Sequence, residues 1–533
     1  MQANTKRSFW GWGLEQEALD SDEIGALARR LRERFGLPVR AAAPIPRADA
    51  LELSAPRLGP PAGLAHLLSA DARDRAGHTY GKAFRDIVRG LAGDFNAAPD
   101  WVARPGSEQD LVDLLDWAGS ARVAVIPYGG GSSVVGGVEA RLDSDWAGAV
   151  SVDMARFDAL VEIDPTSRAA HLQAGLYGPA LEAALKPHGL TLRHYPQSFE
   201  FSTLGGWLAT RAAGHFATRY THIEDLVESV RVLTPSGLIE TRRLPGSGAG
   251  PSPDRFLLGS EGTLGFFLSA WMRLQARPEY RAGCTAAFET FAAGTEAVRQ
   301  LSQSGLDPSN CRLIDATEAV LAGIGDGSRH LLILGFESAD HPIDPWLARA
   351  VEICRGSGGQ VMANKDREKD PASDWRSTFL RAPYMRDGLV RLGMIVETFE
   401  TAVTWDRFEA THAAIVEAVQ SNARRLCGGA AVGCRFTHVY PDGPAPYYTV
   451  VAPGRDGAMV EQWDEIKQAT MAAIDRSGAT VTHHHAVGRD HRPGYDRQRP
   501  PLFADALRAV KQTLDPASVL NPGVLIDRTA VRQ

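Results

Sequence analysis

Three consecutive glycines, Gly129-Gly130-Gly131, follow a short β-branched run, Val123 to Ile126, and lead into Ser132, Ser133 and then Gly136-Gly137. The run reads as a buried strand. Glycines at a strand end leave backbone N–H groups unshielded by side chains. Glycine also tolerates positive φ, so such a loop can curl into a concave nest for an anion. Ser132 and Ser133 add hydroxyl donors, which suits the pyrophosphate of a dinucleotide. A glycine-rich surface turn has the same composition, and this stretch alone does not choose between the two.

A chain of 533 residues predicts two or more domains. With 44% hydrophobic and 23% charged residues, it has the make-up of a globular protein. A net charge of -7 argues against a general nucleic-acid binder. The five cysteines (Cys284, Cys311, Cys354, Cys427, Cys434) are scattered, odd in number and without a CxxC pair. They predict reduced thiols in a cytoplasm rather than a disulfide framework or a zinc-thiolate site. The segment Ser8 to Gly13 is polar and Trp-containing, unlike a signal peptide. No apolar run reaches membrane-spanning length. The end, Ala530-Val531-Arg532-Gln533, does not match the peroxisomal tripeptide.

Residues 14 to 35 place Ile24, Leu27, Leu31 and Phe35 at helical spacing, and the Pro/Ala-rich stretch from Pro38 to Pro61 reads as an extended connector. Tyr80 to Leu91 is a second amphipathic candidate. Val102 to Pro105 predicts a strand, and Ser107 with Asp110 forms an S-x-x-D capping box for the helix that follows. Leu160 to Asp164 and Arg168 to Ala174 flank Pro165-Thr166-Ser167 as a hairpin. Short strands alternating with helices point to α/β or α+β.

Two further clusters share the chemistry of the glycine loop. Gln197 to Arg211 sets Ser198, Ser202 and Thr203 beside Gly205-Gly206, and Gly259 to Gly265 carries Ser260, Glu261, Gly262 and Thr263 before a strand. Three such loops within one domain predict a ligand cradle. No G-x-G-x-x-G with a following acidic residue sits between a strand and a helix, so a nicotinamide fingerprint is absent.

This order of features resembles the flavin-binding domain of the vanillyl-alcohol oxidase and p-cresol methylhydroxylase superfamily. Within it the chain is most similar to the alkyldihydroxyacetonephosphate synthase family. The carriers are the glycine loop, Phe199 to Trp207, Ile223 to Val227, Gly259 to Gly265, His483-His484-His485, and a Leu520-Asn521-Pro522-Gly523 ending. The resemblance implies an α+β fold: a two-subdomain FAD-binding domain of the vanillyl-alcohol oxidase type plus a mixed α/β cap. The expected division is an N-terminal helical region at 1–96, the FAD-binding domain at 97–277, the cap at 278–477, and a C-terminal segment at 478–533 that returns to the flavin. FAD contacts are expected from Pro127, Tyr128, Gly129, Gly130, Gly131, Ser132 and Ser133. A second set is Gln197, Ser198, Ser202, Thr203, Gly205, Gly206, Thr210, Arg211 and Ala212, and a third is Glu261, Gly262, Thr263, Gly265 and Phe267. The glycine loop lacks the histidine that tethers flavin in some relatives, so the FAD is expected to be non-covalent.

In the cap, Arg312 stands in an apolar strand-like run, and pattern alone would make it a solvent-exposed structural arginine. The resemblance instead gives it a functional role. Arg386, at the start of an expected helix, matches an arginine for the substrate's phosphate, a task that suits a planar guanidinium fork; pairing with Asp387 is the structural alternative. Arg435 to Tyr440 and Pro446 to Val451 alternate as neighbouring strands. Tyr447 best matches an active-site tyrosine, and a one-residue register shift would select Tyr448 instead. On a strand, only His483 and His485 could share a metal. No other metal pattern supports one, and none is expected. Histidines titrating near neutrality suit proton transfer, and the resemblance, which includes a matching triple histidine, implies acid/base and substrate-positioning roles for His483, His484 and His485, His484 foremost.

The implied reaction replaces the acyl group of acyl-dihydroxyacetone phosphate with a fatty alcohol, forming an ether-lipid precursor. The alternative is an FAD-dependent oxidase or dehydrogenase of an alcohol or 2-hydroxy acid. Expected partners are a small-molecule or lipid-like substrate and a second copy in a homodimer, with no nucleic acid. The expected compartment is the cytoplasm, with a peripheral membrane contact left open.

Overall fold

The computed structural model describes residues 6–220, 222–362 and 371–526; the C-terminal tripeptide lies outside them. The apolar run before the glycines forms the strand Val123–Tyr128, parallel to Gly148–Asp153, which in turn lies parallel to Trp101–Ala103. The short strand Leu68–Ser69 completes this sheet antiparallel to Trp101–Ala103. The helix Glu108–Ala121 starts at the expected Ser107–Asp110 capping box. Its Leu111, Leu114, Leu115 and Ala118, spaced on one helical face, bury against the sheet. The C-terminal chain covers the outer edge of Val123–Tyr128: Val125 N–H donates to Val519 O at 2.9 Å, and Asn521 N–H to Val125 O at 2.8 Å. That cover satisfies an edge that would otherwise expose unpaired backbone groups.

A second, antiparallel sheet runs in the order Leu160–Asp164, Ala169–Gln173, Phe266–Arg273, Val227–Thr234, Gly237–Glu240. The expected hairpin at 160–173 is its first pair. Its inner residues Ala170, Leu172, Val230, Val232 and Met272 share a core with the helices Gly178–Leu185 and Leu204–Thr210. The first glycine-bearing loop follows Val123–Tyr128, the third precedes Phe266–Arg273, and the second leads into and forms the helix Leu204–Thr210.

Beyond residue 279 the chain builds a seven-stranded antiparallel sheet in the order Gln360–Met362, Tyr280–Phe288, His330–Ser338, Asn310–Ile314, Ala431–Val439, Pro444–Pro453, Met394–Glu400. The helices Phe291–Ser302, Asp344–Gly356, Trp405–Cys427 and Met459–Arg476 share cores with one face of this sheet, which carries Phe336, Cys434, Phe436 and Tyr448. The other face turns toward the flavin-binding half. Fold class and the two-part flavin domain with its cap are therefore as the sequence implied.

The N-terminal stretch packs on the cap side. Phe9, Trp10 and Trp12, with Ile24, Leu27 and Leu31 of the helix Ser21–Phe35, form one core with Tyr384, Leu389 and Val390 of the helix Pro371–Arg391 and with the strand Met394–Glu400. Among the described residues no helix is long and apolar enough to cross a membrane, and all five cysteines are unpaired.

Candidate active site

The three glycine-bearing loops, that other face of the cap sheet and the helices Ser21–Phe35 and Pro371–Arg391 line one cavity of about 340 Å³, a size ordinary for a small-molecule site. At one end, the N–H groups of Gly129, Gly130, Gly131, Ser132 and Ser133 line it. None of the five donates to an acceptor among the described residues. Five consecutive buried or half-buried donors are costly to leave unmet, and successive free N–H groups around a positive-φ glycine are the backbone of an anion nest. The glycines are required by their surroundings. A Cβ on Gly130 would overlap the carbonyl of Phe201, and Gly131 has φ +66°. A Cβ at Gly206 would meet only Thr203 Oγ1, at 3.5 Å, and so would stand in the cavity. This donor set and bare backbone fit the pyrophosphate and flat rings of FAD.

Most of the expected FAD residues line this cavity: 127–133; Gln197, Ser198, Ser202, Thr203, Gly205, Gly206, Thr210 and Ala212; and Glu261, Gly262, Gly265 and Phe267. Arg211 and Thr263 do not. Arg211 points outward into an ion pair with Glu224, and the buried Thr263 hydroxyl donates to Ser260 O at 2.6 Å. Glu261 accepts from Val487 N–H (2.8 Å) and Gly488 N–H (2.7 Å), and burial pushes its carboxyl up to about 7. It thereby ties the third loop to the segment after the histidines. Arg7 braces the nest from behind, donating to Tyr177 Oη at 2.6 Å and Gly130 O at 2.7 Å. Sequence reading missed Arg7, because nothing local marks a terminal arginine as buried.

At the cap end, antiparallel pairing sets Arg435 opposite Tyr447, both facing the cavity. The Arg435 guanidinium lies 3.8 Å from the centroid of the Tyr447 ring and forms a buried ion pair with Glu318. Tyr448 points the other way, stacked on Phe399 in the cap core. The register thus presents Tyr447 to the cavity, and Arg435, absent from the expected site, comes with it. A β-bulge between Phe436 and His438 turns both Thr437 and His438 inward. Arg386 also lines the cavity, but inside the helix Pro371–Arg391 rather than ahead of it. It is not paired with Asp387, whose carboxylate accepts Trp12 N–H at 2.7 Å. Arg386 donates to Lys82 O at 3.1 Å, and its Nε has no partner. Arg312 is neither exposed nor cavity-lining. It is 1% exposed behind the site, where it meets His215 Nδ1 at 3.2 Å. Burial pushes its guanidinium down to about 9.

The histidine triplet is not a strand. Three successive N–H groups, of His483, His484 (3.1 Å) and His485 (2.7 Å), converge on the carboxylate of Glu400, which also accepts the Thr482 hydroxyl at 2.7 Å. Burial pushes the Glu400 carboxyl up. The neighbouring His485 and His483 rings, the Thr482 hydroxyl and the His484 N–H outweigh it and bring the carboxyl to about 2. Bent around this anchor, adjacent rings meet: His483 Nδ1 and His484 Nδ1 are 3.0 Å apart, a hydrogen-bond length. One nitrogen each from His438, His483 and His484 lies within 4.8 Å of the others, so the strand-based expectation of a shared His483–His485 site does not hold. Nor do the rings titrate near neutrality. Burial pushes His483 down to about 3 and holds His484 and His438 well below the usual imidazole range. His484, His485 and His438 line the cavity; His483 stands behind His484.

The same cavity is also lined by apolar side chains, Leu27 and Leu31 of the N-terminal helix, Leu321, Leu389, Val396 and Val451.

Residues 99–242 match the FAD binding domain family, and residues 277–525 match the FAD linked oxidases, C-terminal domain family. The alkyldihydroxyacetonephosphate synthase of Dictyostelium discoideum is 30% identical over 86% of this chain and 78% of its own. A solved alkyldihydroxyacetonephosphate synthase structure superposes with a TM-score of 0.82 at 26% identity, covering 97% of this chain and 98% of the other. Substrate-bound p-cresol methylhydroxylase shares the fold, with a TM-score of 0.67 at 13% identity, over 96% and 98% of the two chains. Unmet amides fitted to a pyrophosphate, a flavin-domain match that spans the first two of the three loops and this extent of likeness agree: the chain is an FAD-dependent enzyme and belongs to the alkyldihydroxyacetonephosphate synthase family.

Proposed function

We propose that this enzyme exchanges the acyl group of acyl-dihydroxyacetone phosphate for a fatty alcohol, giving an ether-lipid precursor. The observation that carries this reading is the apolar lining of the cavity, Leu27, Leu31, Leu321, Leu389 and Val451, in the same cavity as Arg386, Arg435 and Tyr447. An alkyl chain buried there gains about 0.8 kcal/mol per methylene. Bound FAD supplies the electron-rich ring that allows a carbon–oxygen bond to be exchanged without net oxidation. Arg386, with its unpartnered Nε, takes the phosphate, and Arg435 adds positive charge beside Tyr447. Tyr447 holds or receives the proton that leaves the substrate carbon, and neutral His484 accepts the proton of the incoming alcohol. The carbon–oxygen bond to the fatty acid breaks, the carboxylate departs, and the alcohol oxygen bonds to the same carbon. Arg312 acts from behind, positioning the cap strands.

The sharing of residues 277–525 with FAD linked oxidases supports a second reading, an oxidase or dehydrogenase of an alcohol or 2-hydroxy acid. Incubation with labelled fatty alcohol and acyl-dihydroxyacetone phosphate tests the first. Label entering the product while the flavin band persists is expected. Anaerobic bleaching by candidate alcohols or hydroxy acids at catalytic rates, without label transfer, would overturn it. The same reading carries non-covalent FAD, a cytoplasmic homodimer and substrate capture at a membrane surface. Exposed Leu502 (82%) and Phe503 (51%), adjacent on one helix start, support that last contact.

A further inference from the structure

The cavity needs a route for protons, because a base sealed under a bound lipid cannot exchange with water directly. Behind His484 an unbroken chain of hydrogen bonds leads away from the cavity. His484 Nδ1 meets His483 Nδ1 at 3.0 Å, His483 Nε2 meets Tyr440 Oη at 2.7 Å, and Tyr440 Oη meets His222 Nε2 at 2.5 Å. His484 lines the cavity. His222 does not; it is half-buried, beside the exposed Arg211 and close to Glu224 and Asp225. We propose that His222, Tyr440, His483 and His484 form a proton relay between the cavity and the solvent near Arg211.

One proton per link fixes the polarity of such a chain. In one state His484 Nδ1–H donates to His483, His483 Nε2–H to Tyr440, and the Tyr440 hydroxyl to His222 Nε2, leaving His484 Nε2 free to accept. When that nitrogen takes a proton from the substrate, each link passes its proton outward and His222 loses Nδ1–H to water. One proton enters, one leaves, and every donor reverses. Every ring is neutral before and after, which matters because these rings are too buried to hold charge. A lone buried base would have to become an imidazolium; the relay avoids that state. Glu400 contributes by fixing the backbone of the triplet, which brings the two Nδ1 atoms together.

The inference rests on the cavity chemistry moving a proton, a feature of both readings above. The test compares holoenzyme, Tyr440→Phe and His222→Ala. Both variants are expected to keep full FAD absorbance and to lose at least about 10-fold in kcat, with an altered solvent deuterium isotope effect. Added imidazole is expected to restore His222→Ala and not Tyr440→Phe. A second readout needs no substrate: in ¹⁵N-histidine spectra of the holoenzyme, Tyr440→Phe is expected to change the tautomer of His483. Wild-type kcat in both variants overturns the relay, as does loss of activity in proportion to loss of FAD. Stoichiometric zinc in the purified holoenzyme, lost on His438→Ala, also overturns it, because the same nitrogens cannot carry both ion and proton. If the wild-type enzyme performs neither reaction, the functional reading fails, and the histidine spectra alone decide the relay.

Discussion

At the scale of single residues, the two tyrosines of Pro444–Pro453 separate chemistry from packing. Tyr447 lies against Arg435 at the cavity and Tyr448 stacks in the core. Tyr447→Phe is expected to keep FAD and lose 10²–10⁴-fold in kcat, the range for a lost acid/base group. Tyr448→Phe should stay within several-fold. Equal effects in the two variants would refute the assignment. The glycine loop gives an equally sharp contrast. Gly130→Ala pushes a methyl group into the Phe201 carbonyl, so flavin content after gel filtration should drop at least about 10-fold, while Gly246→Ala, with open space around it, should retain it. The nest was legible in the sequence because its chemistry is backbone chemistry, which glycine spacing reveals. Arg435 was not, since alternation names two faces without saying which one meets the ligand. His438 was hidden further, because a bulge moves it off the face that alternation assigns to it.

At the scale of elements, the histidine triplet takes its form from a residue 83 positions upstream, Glu400. Three adjacent histidines look like a strand until a carboxylate gathers their N–H groups, and no local rule reports that partner. Glu400→Gln keeps the shape but replaces an acceptor oxygen with NH₂, leaving at least one of those donors unmet in a buried site. A loss of about 1–3 kcal/mol in stability is expected, read as a lower denaturant midpoint, together with a kcat decrease that exceeds any change in KM. Unchanged kcat would mean the triplet does not depend on this anchor. The helix Ser21–Phe35 carries a similar lesson. Its apolar stripe was plain in the sequence, but a stripe reads the same whether it meets a core or a ligand. Because Leu27 and Leu31 line the cavity, Leu27→Trp is expected to raise KM for long-chain alcohols several-fold more than for short ones. Equal shifts for both chain lengths would detach that helix from substrate recognition.

At the scale of the whole molecule, closing four parts of the chain around one cavity buries many ionisable groups, and their balance fixes the response to acid. His194, His483 and His491 are held near 3 and His412 near 4, with His438 and His484 also well below the usual range, all by burial. Each of these six binds a proton in the unfolded chain from about pH 6.5 downward but not in the native one. Four carboxyls act in the opposite sense. Burial holds Glu261, Asp315 and Asp387 near 7 and Asp86 near 6, so the native state carries protons there that the unfolded chain lacks above about pH 4.5. Burial lowers His485 and His222 as well, so the histidines outnumber these carboxyls and the unfolded chain is the proton-richer state between pH 6 and 4.5. Stability therefore falls with acid in that window, by at least about 1 kcal/mol per pH unit, the slope for each net proton taken up on unfolding. Below about pH 4.5 the unfolded carboxyls protonate too, their opposition fades, and the fall steepens. Above pH 7 neither set contributes. Calorimetric Tm values of the holoenzyme are accordingly expected to be level near pH 7–8 and to drop progressively below 6. A Tm that rises on acidification would mean the carboxyls, not the histidines, dominate the buried charge of this fold.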